Sequence, residues 1–410
     1  MMPQPTHSQQ KYLFLLGISA LYIALGAWLD FLTGPYWWDE ESFWQTSLTF
    51  SDHLFPSLSD IREYQELNTP LAFIVFHALE HLFGKGIVAG RLLNLLLSLS
   101  MAFIIGWPTK EKGGRAILCL IGLFLCPYYL WLSGRLYTEM IACFWVLMGV
   151  LGYIRNRHLW SCIAFVLAIA TRQYMVVFPA AIATYEFIVA AFEVRQGARI
   201  DWKAQWRWIF PFIAAGSIFL WFYLFQGLVP AGAYQAKPAP EIQKTAWGMD
   251  LGGAIHYLSF ITIYIVIPEF LLFSPLVKLR YLKQQWNRKR YKIIIIALAL
   301  LLFALIFPPQ EFASGNVKKL ANLLPYSSLR WSFYYILALV ACLRFAKPNL
   351  MGLFIFFNAA IMVKAHPWDR YVLPMVVVFW YLKSLDLVDQ YPLPGIPGPR
   401  RSSIEPPVPS

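Results

Sequence analysis

Charge is what this sequence has least of. Asp, Glu, Lys and Arg together make up 14% of its 410 residues, against 59% hydrophobic and 17% aromatic, a balance too apolar for a soluble protein of this length. Paired cysteines are missing as well. Cys119, Cys126, Cys143, Cys162 and Cys342 lie inside apolar runs with no CxxC or Cys/His spacing, so they read as small hydrophobes rather than metal ligands or a disulfide framework. There is no Walker loop, HExxH, GxSxG or cluster of metal ligands. Nucleotide-driven transport and metalloprotease chemistry have nothing to rest on, and no metal or other cofactor is expected. The lack of a DxD-like pair in a polar domain argues against an enzyme that takes nucleotide sugars in a separate catalytic domain.

Long apolar runs are abundant, and about 20 such residues carry a helix across a bilayer. Candidate spans lie near 12–32, 87–107, 116–134, 136–154, 158–171 and 174–192, then near 207–227, 251–275, 293–308, 329–346, 349–364 and 371–388. The sequence predicts an all-α, polytopic membrane helical bundle of about twelve transmembrane helices filling residues 1–390. The run from Tyr12 lacks a small-residue cleavage site and reads as an uncleaved first span. The net charge of +12 sits in short loops, among them Lys110, Lys112, Arg115, Arg155, Arg157 and the run Lys278–Lys292. That pattern fits cytoplasmic retention of loops rather than nucleic-acid binding. With the N-terminus inside, the odd loops face outward. The first of these, 34–86, holds an amphipathic stretch from Trp38 to Phe50 and a short apolar segment, 70–83, expected to lie at the interface. The span 158–171 is short, about 20 Å at 1.5 Å per residue, and implies a local cavity or thinned membrane. The proline-rich tail 391–410 is expected to be a disordered cytoplasmic end. No internal repeat relates the two halves.

Polar residues gather in a few outer places. The first outer loop holds Asp39, Glu40, Glu41, Asp52, Asp60, Glu63 and Glu66 against a single arginine, Arg62. Asp39 and Glu40 follow the aromatic patch Tyr36-Trp37-Trp38, where a carboxylate could deprotonate a hydroxyl at the interface. A solvated loop is the plainer alternative. Arg172-Gln173 interrupts a long apolar stretch; the guanidinium needs an anion there, and arginine pairs bidentately with phosphate oxygens. The segment Lys364 to Tyr371 crowds together Lys364, His366, Asp369 and Arg370, of which the last two could pair with each other. The spacing of Arg135 and Glu139 predicts a pair at i, i+4. Asn68-Thr69-Pro70 reads as a helix start with threonine as cap. Arg91 and Asn94, about one turn apart, can bond to each other or to neighbouring helices.

Six of these stretches, in order, look like one family. Tyr36-Trp37-Trp38-Asp39-Glu40 resembles the first-loop acidic motif of multi-spanning GT-C glycosyltransferases, particularly the YMDE-type motif of the ER dolichyl-phosphate-glucose α-1,2-glucosyltransferases. Asn68-Thr69-Pro70-Leu71 resembles the TTPPGLY-like segment, and the stretch from Gly90 through Arg91 and Asn94 to Leu96 resembles LRxxNLL. Leu136-Tyr137-Thr138-Glu139 is similar to YYTE, Thr171-Arg172-Gln173 to FRQTN, and Ala365-His366-Pro367 with Asp369-Arg370-Tyr371 to HP…DNRHY. The chain departs from the pattern in having one proline at Pro70 where the family has two, and no asparagine between Asp369 and Arg370.

The resemblance implies a transferase that moves a hexose, glucose-like, from a polyprenyl-phosphate or dolichyl-phosphate sugar to a glycan or lipid-linked acceptor on the extracytoplasmic or luminal side, with inversion. It implies Asp39 as general base, with Glu40 as fallback or orienting group. Arg172 and Arg370 would steady the lipid phosphate, Gln173 and His366 would donate hydrogen bonds, and Asp369, Glu139, Arg91 and Asn68 complete the expected substrate-binding set. Partners would be membrane lipid, the lipid-linked donor and the acceptor. The expected location is a bacterial plasma membrane, with the ER membrane as alternative. A multi-spanning transporter or flippase is the rival, but it should place its charges mid-span rather than at outer ends.

Overall fold

The computed structural model describes residues 7–28, 30, 33–37, 39–50, 56–84, 86–197, 202–236, 248–273, 275–309 and 313–394. Several sequence readings fall partly outside these, one of them the acidic first loop, whose Asp52 is not described. Trp38 and the tail beyond residue 394 are not described, and neither are the side chains of most of the Lys278–Lys292 run.

The described residues are helical throughout, with two isolated bridges, Ser314 to Trp368 and Asn349 to Pro392, and no strand. Among the described residues, five helices are long and apolar enough to cross a membrane: Ser8–Ala27, Ile87–Gly106, Gln173–Arg195, Gln205–Phe225 and Gly253–Leu272. A sixth arises if Arg115–Phe124 and Pro127–Ser133 form one span bent by 77°. These helices are compatible with a multi-pass membrane protein, and large apolar side chains on their outer faces, such as Ile23, Phe219 and Tyr223, are exposed. Contiguous exposed apolar surface of this kind suits lipid rather than water.

The expected number of about twelve spans is not reached by length and composition, and the reason is visible helix by helix. Runs that read as whole spans are divided or short. The stretch 116–134 breaks after Leu125, where Pro127 opens a new helix. Leu71–Phe83, Thr138–Ile154, His158–Thr171 and Leu350–Ile361 are apolar but have 10 to 17 residues. The last expected span is only Leu373–Ser384, nearly all of it buried. In the opposite sense, the basic run expected as a loop is helical, continuous with the apolar segment after it in the 32-residue helix Pro275–Ile306. The tail does not begin at 391. Tyr391 is buried and its carbonyl accepts from the Leu350 amide at 3.0 Å, while the Leu393 amide donates to the Pro348 carbonyl at 2.8 Å.

Helix Leu373–Ser384 runs through the interior, packed on Thr138–Ile154 and Arg115–Phe124. Its Trp380 lies so close to Gly122 that a Cβ there would stand 2.3 Å from the indole. The glycine permits that approach. The first loop folds into helices Asp39–Leu48, Leu58–Glu63 and Leu71–Phe83, of which the first and third pack on each other. Thr69 does not cap the third. The residue at that position is Pro70, and the Thr69 hydroxyl instead donates to the Ile169 carbonyl at 2.7 Å, tying the loop to the end of helix His158–Thr171.

Candidate active site

Helix Asp39–Leu48 begins with three carboxylates, Asp39, Glu40 and Glu41, in its first turn, where they complement the positive end of the helix dipole. Successive residues on a helix are turned by about 100°, so the three side chains go to different places.

Glu40 goes inward. It is fully buried and takes the Arg91 guanidinium in two hydrogen bonds, Nε to Oε1 at 3.0 Å and Nη2 to Oε2 at 2.9 Å. It also accepts from the backbone amides of Leu136 at 2.7 Å and Trp37 at 3.0 Å, with Arg135 at 3.6 Å. Arg91 further donates to the carbonyls of Gly34 at 2.8 Å and Pro35 at 3.1 Å. Glu40 and Arg91 thus clamp the loop onto the bundle, with the carboxylate's accepting capacity taken up. The i, i+4 pair expected of Arg135 and Glu139 does not form, because Arg135 faces Glu40. Arg91 and Asn94 also go to separate partners: Asn94 donates to the carbonyls of Arg135 at 2.6 Å and Tyr137 at 2.9 Å.

Asp39 turns the other way, and its side chain keeps 35% of its surface exposed. Its Oδ2 accepts from Arg370 Nη1 at 2.9 Å, a contact across more than 300 residues of sequence. Arg370 lies over the Trp368 ring, 3.6 Å from its centre, and has Nε 3.4 Å from Glu139. Glu139 is fully buried and is shared with Arg172, to which it forms a close ion pair. Arg172 in turn faces the rings of Tyr174 and Tyr371, each just over 5 Å away. Asp39, Arg370, Glu139 and Arg172 form one chain of alternating charge. Burying it costs solvation that only these pairings offset.

The pair expected of Asp369 and Arg370 is likewise absent. Asp369 is buried and held by three donors: the Tyr128 hydroxyl, the Tyr264 hydroxyl at 2.8 Å and the Val317 amide at 3.0 Å. Burial raises its pKa, and those hydrogen bonds oppose the rise. A Cβ at Gly315 would collide with this carboxylate, and Gly315 has φ +105°, so both space and backbone require glycine. Asp369 anchors the segment that carries Arg370. His366 shares a hydrogen bond of 2.8 Å with Ser314. Burial, then the charges of Arg370 and Lys318, hold its pKa below the ordinary value, so it is kept neutral. Gln173 donates to the Leu67 carbonyl at 2.7 Å, and the Tyr64 hydroxyl donates to the Asn68 carbonyl at 2.5 Å.

These segments meet around one cavity of about 540 Å³, within the range of small-molecule sites. Asp39, Asn68, Arg172, Gln173, His366 and Arg370 all line it. Glu40, Arg91, Glu139 and Asp369 do not; they stand behind it and hold its wall. The lining also has an apolar part that includes Ile218, Phe222, Leu228 and Val229, on and after the helix whose Phe219, Leu220 and Tyr223 are exposed. Sequence reading missed this apolar part, and also Tyr174 as a lining residue, whereas Lys364 and Trp368 belong to the segment it had singled out. Tyr174 carried a signal, since it follows Arg172-Gln173 directly; the apolar part carried none, because every helix here is apolar. The Tyr174 hydroxyl and Arg172 Nε are buried without a hydrogen-bond partner among the described residues. No group of three or more His, Cys, Asp or Glu able to hold a metal ion occurs among the described residues.

No family model, curated protein or solved structure matches the chain.

Proposed function

We propose that this protein is a membrane glycosyltransferase that moves a hexose, glucose-like, from a polyprenyl-phosphate sugar to a glycan or lipid-linked acceptor at the extracytoplasmic or luminal face. One observation carries the reading. A single cavity is lined by a partly exposed carboxylate, Asp39, by two arginines, Arg172 and Arg370, and by apolar residues on and after a helix with exposed apolar surface. That combination suits an amphiphile with an anionic head. A soluble sugar nucleotide would have no use for the apolar residues, and a purely apolar lipid none for the arginines.

In this reading the acceptor hydroxyl oxygen attacks the anomeric carbon while the bond from that carbon to the phosphate oxygen breaks. Asp39 takes the hydroxyl proton, and the configuration inverts. The leaving phosphate carries away the bonding pair, so it needs charge stabilisation more than a proton. Arg370 and Arg172 supply it. Glu139 pairs with both guanidinium groups and so holds them at the cavity wall. Glu40 serves as a clamp rather than a second base, because Arg91 and two amides already occupy it.

The test is purified protein offered a panel of polyprenyl-phosphate sugars with several acceptors. Wild type is expected to consume at least one donor. Arg172→Ala is expected to raise the donor concentration needed for half-maximal rate by about tenfold or more, the order lost with a charged hydrogen bond. Consumption of no donor with any acceptor would overturn the reading in favour of transport.

A further inference from the structure

A second cavity, of about 400 Å³, adjoins the first and differs from it in chemistry. Its lining is almost wholly polar and uncharged or acidic: Ser42, Gln45, Thr46 and Thr49 from helix Asp39–Leu48 and the turn after it, and Asp60, Glu63 and Gln65 from the helix Leu58–Glu63 region, with Tyr64 between them. Among the described residues, no lysine, arginine or histidine lines it.

Residues 42, 45, 46 and 49 recur at helical spacing and form one stripe, and Asp39 is the next position of that stripe toward the helix start. At 1.5 Å per residue, Asp39 to Thr49 spans about 15 Å. The two cavities meet twice along the chain. Asp39 and Phe43 line the first, and Ser42 and Thr46 the second; Glu66, Leu67 and Asn68 line the first, and Tyr64 and Gln65 the second. Both boundaries fall at one contact, the hydrogen bond from the Ser42 hydroxyl to Glu66. One helix face therefore leads from the carboxylate of the first cavity into the second.

Amide, hydroxyl and carboxylate groups with one tyrosine ring, and no cation among the described residues, suit vicinal hydroxyls, which both donate and accept. They do not suit a phosphate, which the carboxylates repel. We infer that the second cavity is the acceptor subsite and binds a neutral oligosaccharide along helix Asp39–Leu48, with the hydroxyl at its end presented to Asp39. The anionic donor head and the neutral acceptor are thus sorted by charge on the two sides of the Ser42–Glu66 contact. This rests on the transferase reading for its mechanism but not for the binding itself.

The experiment separates the two. Saturation-transfer NMR on the full-length protein in detergent, with a panel of neutral di- and trisaccharides and a uronic-acid disaccharide, is expected to show binding of at least one neutral saccharide and none of the uronic acid. Gln45→Ala and Glu63→Gln alter exposed side chains, so the fold should tolerate them. Each is expected to weaken that binding by about tenfold, the order of one or two net hydrogen bonds, and the double variant by more. Failure of wild type to bind any neutral saccharide, or undiminished binding by the double variant, overturns the subsite even if donor is consumed. Binding lost in the variants while no donor is ever consumed supports the subsite and refutes the transferase.

Discussion

Asp39 and Glu40 are neighbours of the same chemical type, and the helix they open sends them to opposite uses. Glu40 is enclosed by a guanidinium and two amides, and Asp39 keeps one face toward the cavity. The residue on which most depends is a third carboxylate, Glu139, buried between Arg172 and Arg370. Neutralising it leaves two guanidinium groups inside the protein with only Asp39 to answer them. Removing one partner of a buried ion pair costs about 3–5 kcal/mol, so Glu139→Gln, which keeps the volume, should lower unfolding stability by about that much. Unfolding in detergent checks it, and an unchanged midpoint would mean that the arginines find other anions. Asp39→Asn should cost far less, because the amide oxygen can still accept from Arg370 and the side chain is partly solvated. Which acid goes where was not legible in the sequence. Asp39, Asn68, Arg172, Gln173, His366 and Arg370 stood out by type, but the Arg135–Glu139 and Asp369–Arg370 pairings suggested by proximity in sequence gave way to partners 33 to 331 residues distant. Local spacing says what can pair, and the tertiary fold decides what does.

At the scale of helices, apolar runs located elements better than their membrane role. Helix His158–Thr171 has the limits expected of it, and the bounds of Gln173–Arg195 and Gly253–Leu272 lie within three residues of expectation. The failures have physical causes. Apolar composition persists through the break at Leu125, so it could not reveal a bend that depends on Pro127. The basic run before the apolar part of Pro275–Ile306 is made of good helix formers such as lysine, arginine and glutamine, and so continues the helix. Helix Arg115–Phe124 and helix Leu373–Ser384 meet at Gly122 and Trp380 with no room for a side chain between them. Gly122→Val should therefore destabilise the protein by about 1–3 kcal/mol, the cost of overpacking. The drop in unfolding midpoint measures it, and wild-type stability would contradict the packing.

Over the whole molecule the first loop, the junction at Arg172 and the segment from Lys364 to Tyr371 converge on one cavity, although long apolar stretches separate them in sequence. The all-helical architecture and the polar character of these segments were readable from composition and from where charge was spared. The apolar part of the lining was not, since in a chain this hydrophobic one Phe or Ile looks like another. The convergence gives the transferase reading its central claim, that Asp39 takes a proton from the acceptor in a cavity whose arginines hold the donor phosphate. The most direct measurement is the turnover of a polyprenyl-phosphate sugar by wild type and Asp39→Asn, each shown to unfold at the same temperature. A general base contributes about 10²–10⁴-fold, and a loss of that size at unchanged stability is the predicted result; turnover near that of wild type would contradict it.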